Sequence, residues 1–505
     1  MEQFDYLMQG FAVAMTWENL LFALIGCLIG TALGLLPGIG STAGIAILLP
    51  LTISLEPATA IIMLAAIFYG CAYGGTITSV LLNIPGESET AVTVIDGYPM
   101  TLQGRGGIAL TIAGIGSFIG GTFATLCLVL AAPFLAQLGL MIGPPEYFGL
   151  ILVGIALLAS LVGKSVVTGL ISAALGLLIG LVGLDPVMGT PRFTFGSAHL
   201  LDGIHMVPVL VGIFGLGELL YVAQGGKSPK VRAPKLREMI PTKTDFKRAA
   251  PAVGSGALIG TATGLVPGIT STVSTVLAYT FQKKTSKFKH ELGSGAIEGV
   301  ASPETANNAH VNSAFVPLFF LGIPSSASLA VLAGAFLQNG LVPGPRLFTE
   351  QPLLVWSIIA SLFIGNALLL ILNVPLVGMW TRVLAIPYPV LVSIIFAFII
   401  IGSYAVNTST FDLFVMIIFG FVGLVFRWLE IPLAPLVLTL ILGPLMELSL
   451  RQSMQMSGGD LGIFIERPIA LTFLCLVVVV LVGSTIGKRK GPRKLKALVA
   501  SNVEE

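Results

Sequence analysis

The sequence predicts an all-α polytopic membrane protein made of two inverted structural repeats with broken or re-entrant helices, about 11–13 membrane segments in all. Three observations lead there. The 505-residue chain is 55% hydrophobic and only 10% charged, with mean hydropathy +0.97, where a soluble domain carries roughly 25% charged residues. Uncharged runs recur along it, at 19–55, Gly106–Pro145, Ser165–Leu184, Ala249–Gln282, Gln351–Thr381, Val383–Phe411 and Pro468–Gly487; about 18 such residues are enough to cross the hydrocarbon. Finally, the chain repeats itself. "LIGTALGLLPGIGST" from Leu28 returns as "LIGTATGLVPGITST" from Leu258, identical at 12 of 15 positions. Further pairs follow in the same order: "NIPGESETAV" at Asn83 with "GIPSSASLAV" at Gly322, "SFIGG" at Ser117 with "LFIGN" at Leu362, and more weakly "LMIGPPEY" at Leu140 with "LAIPYPVL" at Leu384.

Residues 1–225 therefore form a first repeat and 250–450 a second. A basic linker (226–249) joins them, and 468–505 adds a C-terminal span and tail. The linker and the tail "GKRKGPRKLK" are basic, whereas the start "MEQFDYLMQG" carries two acids and no base. By the positive-inside rule, linker and tail are cytoplasmic and the N-terminus is periplasmic. The first repeat then crosses an odd number of times and the second is upside down, ending outside near Ser449–Pro468. With no basic n-region, the first apolar segment is expected to stay as an anchor.

The first run holds "GLLPGIGSTAG", helix breakers and hydroxyls where a membrane span should be least disturbed. Pro37 and Pro267 forbid a continuing ladder, and Gly38 and Gly268 permit positive φ and a close backbone approach. Freed N–H groups and the hydroxyls of Ser41, Thr42, Ser271 and Thr272 can then face a ligand: an anion at a helix N-terminus, or a cation such as Na+ among oxygens. The second copy lies in a run flanked at both ends by Lys and Arg. That run is shorter than the roughly 40 residues two crossings need. A re-entrant hairpin with its tip inside the membrane fits, and a pair of short tilted spans competes. Paired breaks in two inverted halves are where transporters place substrate and ions.

The next pair of motifs supplies uncharged donors for carboxylate oxygens in Asn83, Ser88, Ser325 and Ser326. Glu87 and Glu89 suit a cation or proton as well as they suit a solvated loop. "GSGAIEGVASPETANNA" (Gly293–Ala309) offers Glu298, Glu304, Asn307 and Asn308. It reads either as ion or substrate contacts entering the membrane or as a cytoplasmic connection with an Asx cap.

Other signals point nowhere. "GKS" at Gly163 lacks the preceding glycine of a P-loop, and Lys164 fits a helix end at an interface. Cys27, Cys71, Cys127 and Cys475 sit in apolar runs without metal spacing and read as buried thiols. The four histidines show no ligand spacing; only His310 lies near the polar motifs, where proton coupling is the weaker reading. Basic clusters beside membrane spans argue against nucleic acid as a partner.

In these motifs the chain resembles the large membrane subunit of the tripartite tricarboxylate transporter family. The resemblance rests on "GLLPGIGSTAGIAILLPLT", "YGCAYGGTITSVLLNIPGESETAVTVIDGYPM" followed by "QGRGG", "GAIEGVASPETANNA", "LGIPSSASLAVLAGAFLQNGLVPGPRLF" and "GLVPGITST". The family's pattern tends to "NTPG" and "GIPGS", where this chain has "NIPG" and "GIPSS". The resemblance implies a bacterial inner-membrane carrier, not an enzyme. It would work with a small four-helix membrane subunit and a periplasmic solute-binding protein, importing citrate-like di- and tricarboxylates by Na+ or H+ symport without other cofactors. The readings set against it are another secondary carboxylate carrier, such as a TRAP-like large subunit, a passive anion channel, and an intramembrane enzyme, for which no nucleophile–base pair is found.

Overall fold

A computed structural model describes residues 2–36, 38–139, 141–161, 165–185, 188–222, 234–384, 386 and 388–490. Pro37, Gly163 and Lys164, linker residues up to 233 and the tail from 491 lie outside these. The described chain is almost wholly helical. In order, its helices are α1 (Glu2–Ala14), α2 (Trp17–Gly34), α3 (Gly40–Leu48), α4 (Pro57–Leu82), α5 (Ala91–Leu102), α6 (Gly106–Gly139), α7 (Pro144–Leu161) and α8 (Val166–Gly180). Next come α9 (Met206–Leu210), α10 (Gly217–Val222), α11 (Lys243–Gly264), α12 (Ser271–Thr285), α13 (Glu298–Ser313), α14 (Phe315–Leu321), α15 (Ala327–Gln338) and α16 (Pro345–Glu350). The remainder are α17 (Pro352–Asn373), α18 (Val377–Val383), α19 (Tyr388–Asn407), α20 (Thr410–Trp428), α21 (Leu433–Met456), α22 (Ile463–Glu466) and α23 (Pro468–Lys490).

Among the described residues, 6 helices are long and apolar enough to cross a membrane: α2, α4, residues 106–132 of α6, α17, α20 and α21. Shorter apolar helices stand between them, among them Gly40–Thr52 and Ala327–Gln338. The chain is a multi-pass membrane protein of all-α class. The short helices are what interruption leaves: each motif read above as a break separates two helices.

The same packing is built twice. Gly26, Gly30 and Gly34 of α2 press on the backbone at Met63, Ile67 and Cys71 of α4; Gly256, Gly260 and Gly264 of α11 press on Ser302, Ala306 and His310 of α13. A Cβ at any of these glycines would overlap the facing chain, so the stripe of glycines one turn apart is what lets the backbones touch. In both pairs the register rises together, so α2 runs parallel to α4 and α11 to α13. Thr59 at the start of α4 accordingly reaches Asn19 at the start of α2, its hydroxyl donating to Asn19 Oδ1 over 2.6 Å. Parallel neighbours require the chain to return in between. α3 with the 3-10 turn Leu49–Thr52 makes that return in the first half, and α12 makes it in the second. Each tip is thus the bend of a helical hairpin.

Helix ends are fixed by local chemistry. Thr242 caps α11, its hydroxyl accepting from Asp245 N–H while Asp245 returns to the Thr242 N–H, a reciprocal capping box. α4 opens on Pro57, whose missing N–H costs nothing there, and ends on Asn83 in the left-handed conformation (φ 60°). Its counterpart α14 ends on Gly322 with φ 70°, so the two motifs share one geometry, the terminal left-handed residue that closes a helix.

Two compact units divide the chain, residues 1–140 with 205–424, and 141–204 with 425–505. Both draw on both sequence repeats. The first holds all the polar motifs. The second packs α7, α8, α21 and α23 together. It also carries a two-stranded hairpin, Gly183–Leu184 against Pro191–Arg192. There Arg192 and Arg451 bracket Glu447 and Asp185, with N···O separations of 2.7–3.6 Å.

Candidate functional site

The first tip turns through Gly38 (φ 94°) and Gly40 (φ 56°) into α3. The first N–H groups of a helix have no partner within it. Here one is taken by a carboxylate: Ser41 N–H donates to Glu87 Oε1 over 2.5 Å. The hydroxyls go elsewhere. Ser328 Oγ, in the first turn of α15, lies 3.0 Å from Ser41 Oγ and 2.7 Å from Thr42 Oγ1. The tip of the first repeat is therefore joined to the proline motif of the second.

The second tip bends at Gly268 (φ 83°) into α12. Ser271 is buried and Thr272 half-buried, and Thr272 offers its carbonyl to the Thr275 hydroxyl at 2.9 Å. Deeper in the hairpin, Ser274 Oγ bridges Thr263 Oγ1 (2.6 Å) and His310 Nδ1 (2.7 Å). α12 packs on the 3-10 turn Ser88–Thr90 and on α5, just as α3 packs on α15. Each tip rests on the other repeat's proline motif. Among the described residues, no hydrogen bond links Ser41 or Thr42 directly to Ser271 or Thr272.

The remaining candidates divide by role. Asn83 is exposed at its left-handed helix end, and Ser88 is exposed with its hydroxyl on Glu89 (3.2 Å). Ser326 caps α15 by accepting from Leu329 N–H at 3.3 Å. Ser325 is fully buried, and its hydroxyl meets no partner among the described residues. Ser328, one turn further, is the residue that meets the tip; sequence spacing alone did not single it out.

The asparagines prove to be neither a loop nor an Asx cap. They sit mid-helix in α13, "EGVASPETANNAHVNS", every residue of which is buried. A helix this polar inside a membrane protein marks function before packing. Its faces are shared out by residue. Ser302, Ala306 and His310 meet α11, whereas Thr305, Asn308 and Asn312 meet α6. Glu304 meets α4 and α5, accepting from Thr76 Oγ1 (2.5 Å, on Oε2) and from Thr93 Oγ1 on Oε1. Asn308 Nδ2 donates to Ser117 Oγ at 2.7 Å. Asn366 of α17 accepts from Tyr73 (2.8 Å) and donates to Thr122 (3.0 Å). Against this satisfied network, both polar atoms of Asn307 and the Oδ1 of Asn308 have no partner among the described residues. An unpaired buried polar atom costs about 1–3 kcal/mol, so these atoms have the capacity to bond a ligand or an ordered water.

Nearer the start of α11 and α13, carboxylates hold the same seam. Arg105, just before α6, bonds Asp245 Oδ1 at 2.5 Å. Asp96 of α5 accepts N–H bonds from Gly293, Gly295 and Ala296 at 2.8–2.9 Å and the Tyr279 hydroxyl at 2.9 Å. Arg248 pairs with Glu298 and Glu291, both at 2.8 Å. Glu298 of the third motif is thus an ion-pair partner at the start of α13.

The tripartite tricarboxylate transporter TctA family matches residues 20–438. A protein of Agrobacterium vitis, named "Uncharacterized 52.8 kDa protein in TAR-I ttuC' 3'region", is 43% identical over 493 residues, 97% of this chain and 98% of its own. A second from the same organism, "Uncharacterized protein in TAR-II ttuC' 3'region", is 44% identical over 234 residues, 46% of this chain and 97% of its own. No solved structure matches significantly. With more than four-fifths of its length inside one family match, and with the paired tips inside that match, this chain belongs to the tripartite tricarboxylate transporter TctA family.

Proposed function

We propose that the chain is the large permease subunit of a binding-protein-dependent secondary carrier. It imports citrate-like di- and tricarboxylates by symport with Na+ or H+. The observation that carries this reading is the crosswise seating of the interrupted helices, α3 on α15 and α12 on the 88–90 turn and α5. In carriers built from inverted repeats, such broken ends form the substrate and ion sites near the midplane. The chemistry at the first tip supports an anionic substrate. A carboxylate, that of Glu87, already lies on the Ser41 N–H at the start of α3, and a small organic acid offers the same group to the same donors. Oxygens of Ser41, Thr42, Ser271 and Thr272 are the donors available to a Na+ ion.

In this reading residues 1–225 and 250–450 are inverted copies, with the N-terminus periplasmic and the C-terminus cytoplasmic in the bacterial inner membrane. A small four-helix membrane subunit and a periplasmic solute-binding protein complete the assembly. It is a carrier rather than an enzyme, and it asks for no cofactor besides the coupling ion. Uptake of labelled citrate into vesicles containing both membrane subunits, with the binding protein supplied, tests it. Saturable accumulation that requires a Na+ or pH gradient is expected. Uptake indifferent to both gradients and rising without saturation would instead favour the passive anion channel.

A further inference from the structure

We propose that Glu304 is the proton-carrying group of the transport cycle, a carboxyl that takes up one proton from the outer side with the substrate and releases it to the cytoplasm. This rests on the carrier reading above and names its coupling ion and residue. Glu304 is 1% exposed, in the middle of an entirely buried helix. Its two hydroxyl partners, Thr76 and Thr93, come from the first repeat while Glu304 belongs to the second. It therefore spans the seam that alternating access has to shift.

Among the described residues, no cation compensates it, and none of the ion pairs includes Glu304. The elements packed against α13 bring Glu87 and Glu89 from the 88–90 turn region, Asp96 from α5, Tyr69, Cys71 and Tyr73 from α4, and Tyr279 from α12; α6 brings no charged residue. On α11, Asp245 is paired with Arg105 and Arg248 with Glu298 and Glu291, while Lys243 and Lys247 stand in the first turns of that helix. α12 ends in Lys283 and Lys284, and His310 on α13 itself is bonded to Ser274. A buried carboxylate without a counter-charge has to bind a cation to be tolerated.

The geometry fits a proton. Thr76 Oγ1 and Glu304 Oε2 lie 2.5 Å apart, the length of a charge-assisted O–H···O bond, which leaves no room for a larger cation between them. A hydroxyl can donate or accept. When Glu304 is ionised, Thr76 and Thr93 donate to it. When it carries the proton, Thr76 accepts, and its own hydrogen turns to the Ala72 carbonyl, 3.4 Å away. Beside Thr76, a cavity of about 10 Å³ lined by Tyr73, Ser117 and Asn373 has room for one water as the next proton partner. The step moves one proton between water and a carboxylate oxygen: the carboxyl O–H bond forms as an O–H bond of a hydrated proton breaks, and the reverse occurs on release.

Two measurements on the wild-type chain and Glu304→Gln, each with its membrane partner in liposomes, test this. Infrared difference spectra across a pH titration need no substrate. They should show a protonated-carboxyl band in wild type that Glu304→Gln lacks; identical spectra would overturn the proposal. In transport of labelled citrate, Glu304→Gln should lose pH-gradient-driven accumulation at least about tenfold yet keep exchange of external for internal citrate, since the amide preserves the shape of the neutral acid. Undiminished accumulation, or loss of exchange as well in a folded protein, would overturn it, as would wild-type uptake driven by Na+ alone. If Glu304→Gln does not fold, Glu304→Asp takes its place and should accumulate citrate with a displaced pH profile; an unchanged profile would overturn the assignment. Wild type that neither accumulates nor exchanges any small di- or tricarboxylate, while its titrating band is present, would reject the carboxylate reading and leave the proton site standing.

Discussion

Ser41 and Thr42 share a single partner, Ser328, across more than 280 residues of chain. Removing that hydroxyl strips both bonds at once, and a net hydrogen bond is worth roughly 0.5–1.5 kcal/mol. Ser328→Ala is accordingly expected to lower carboxylate uptake at subsaturating substrate by about tenfold, with a stability loss no larger than those two bonds. Ser326→Ala, which removes only a cap of its own helix, should cost stability without that loss of uptake. Initial rates and thermal unfolding of the two purified variants check this. At this scale the sequence was legible in kind but not in position. It pointed to hydroxyls at the tips and to asparagines in α13. It could not choose Ser328 over Ser325, because that depends on where α15 begins. Glu304 was visible only as one acid among several, since Thr76 and Thr93, which define it, lie in apolar helices far away in sequence.

The recurrence of the block around the tips was the most legible feature at the element scale. Gly30 and Gly34 of α2 and Gly260 and Gly264 of α11 lie in the 15-residue block whose recurrence defines the repeat, Gly26 and Gly256 stand two residues before it, and the structure uses all six for the same parallel contact. Neighbouring glycines in α11 separate close contact from mere presence. A Cβ at Gly256 would overlap Ser302, whereas at Gly254 nothing lies within 4 Å. Gly256→Val should therefore abolish the monodisperse peak in detergent gel filtration. Gly254→Ala should keep it, with a gain of about 0.5–1 kcal/mol from helix propensity. Equal behaviour of the two variants would remove the backbone contact from the account. What could not be read was α13. Its polarity hides it from any hydropathy threshold, and only its burial on all sides by α4, α5, α6, α11 and α12 shows it to be a core helix.

On the scale of the whole molecule, the repeats are interleaved, and charge holds their edge where Arg105 of the first repeat meets Asp245 at the end of the linker, in the first turn of α11. Burial works against the charge on Asp245, but the hydroxyl and N–H of Thr242 and the Arg105 guanidinium outweigh it and hold the carboxyl below the usual range. A group depressed by folding stabilises above its unfolded pKa, about 3.9, and that contribution is lost as pH falls through the folded value. Wild type should thus unfold at a higher temperature than Asp245→Asn near neutral pH, with the difference closing below about pH 4. A constant difference across that range would show that the pair does not act through its charge. The interleaving itself was not legible from sequence. The repeat gives equivalent segments, but which segment meets which is decided by packing.

The central claim is that the tip of the first repeat and the proline motif of the second form one working site that must open for transport. Ser41→Cys with Ser328→Cys, in a chain whose Cys27, Cys71, Cys127 and Cys475 are replaced by alanine, tests both parts at once, because the two side-chain oxygens are 3.0 Å apart. Oxidation should form the cross-link and stop labelled-citrate uptake, and reduction should restore it. A pair that does not cross-link, or a cross-linked protein that transports undiminished, would contradict the account.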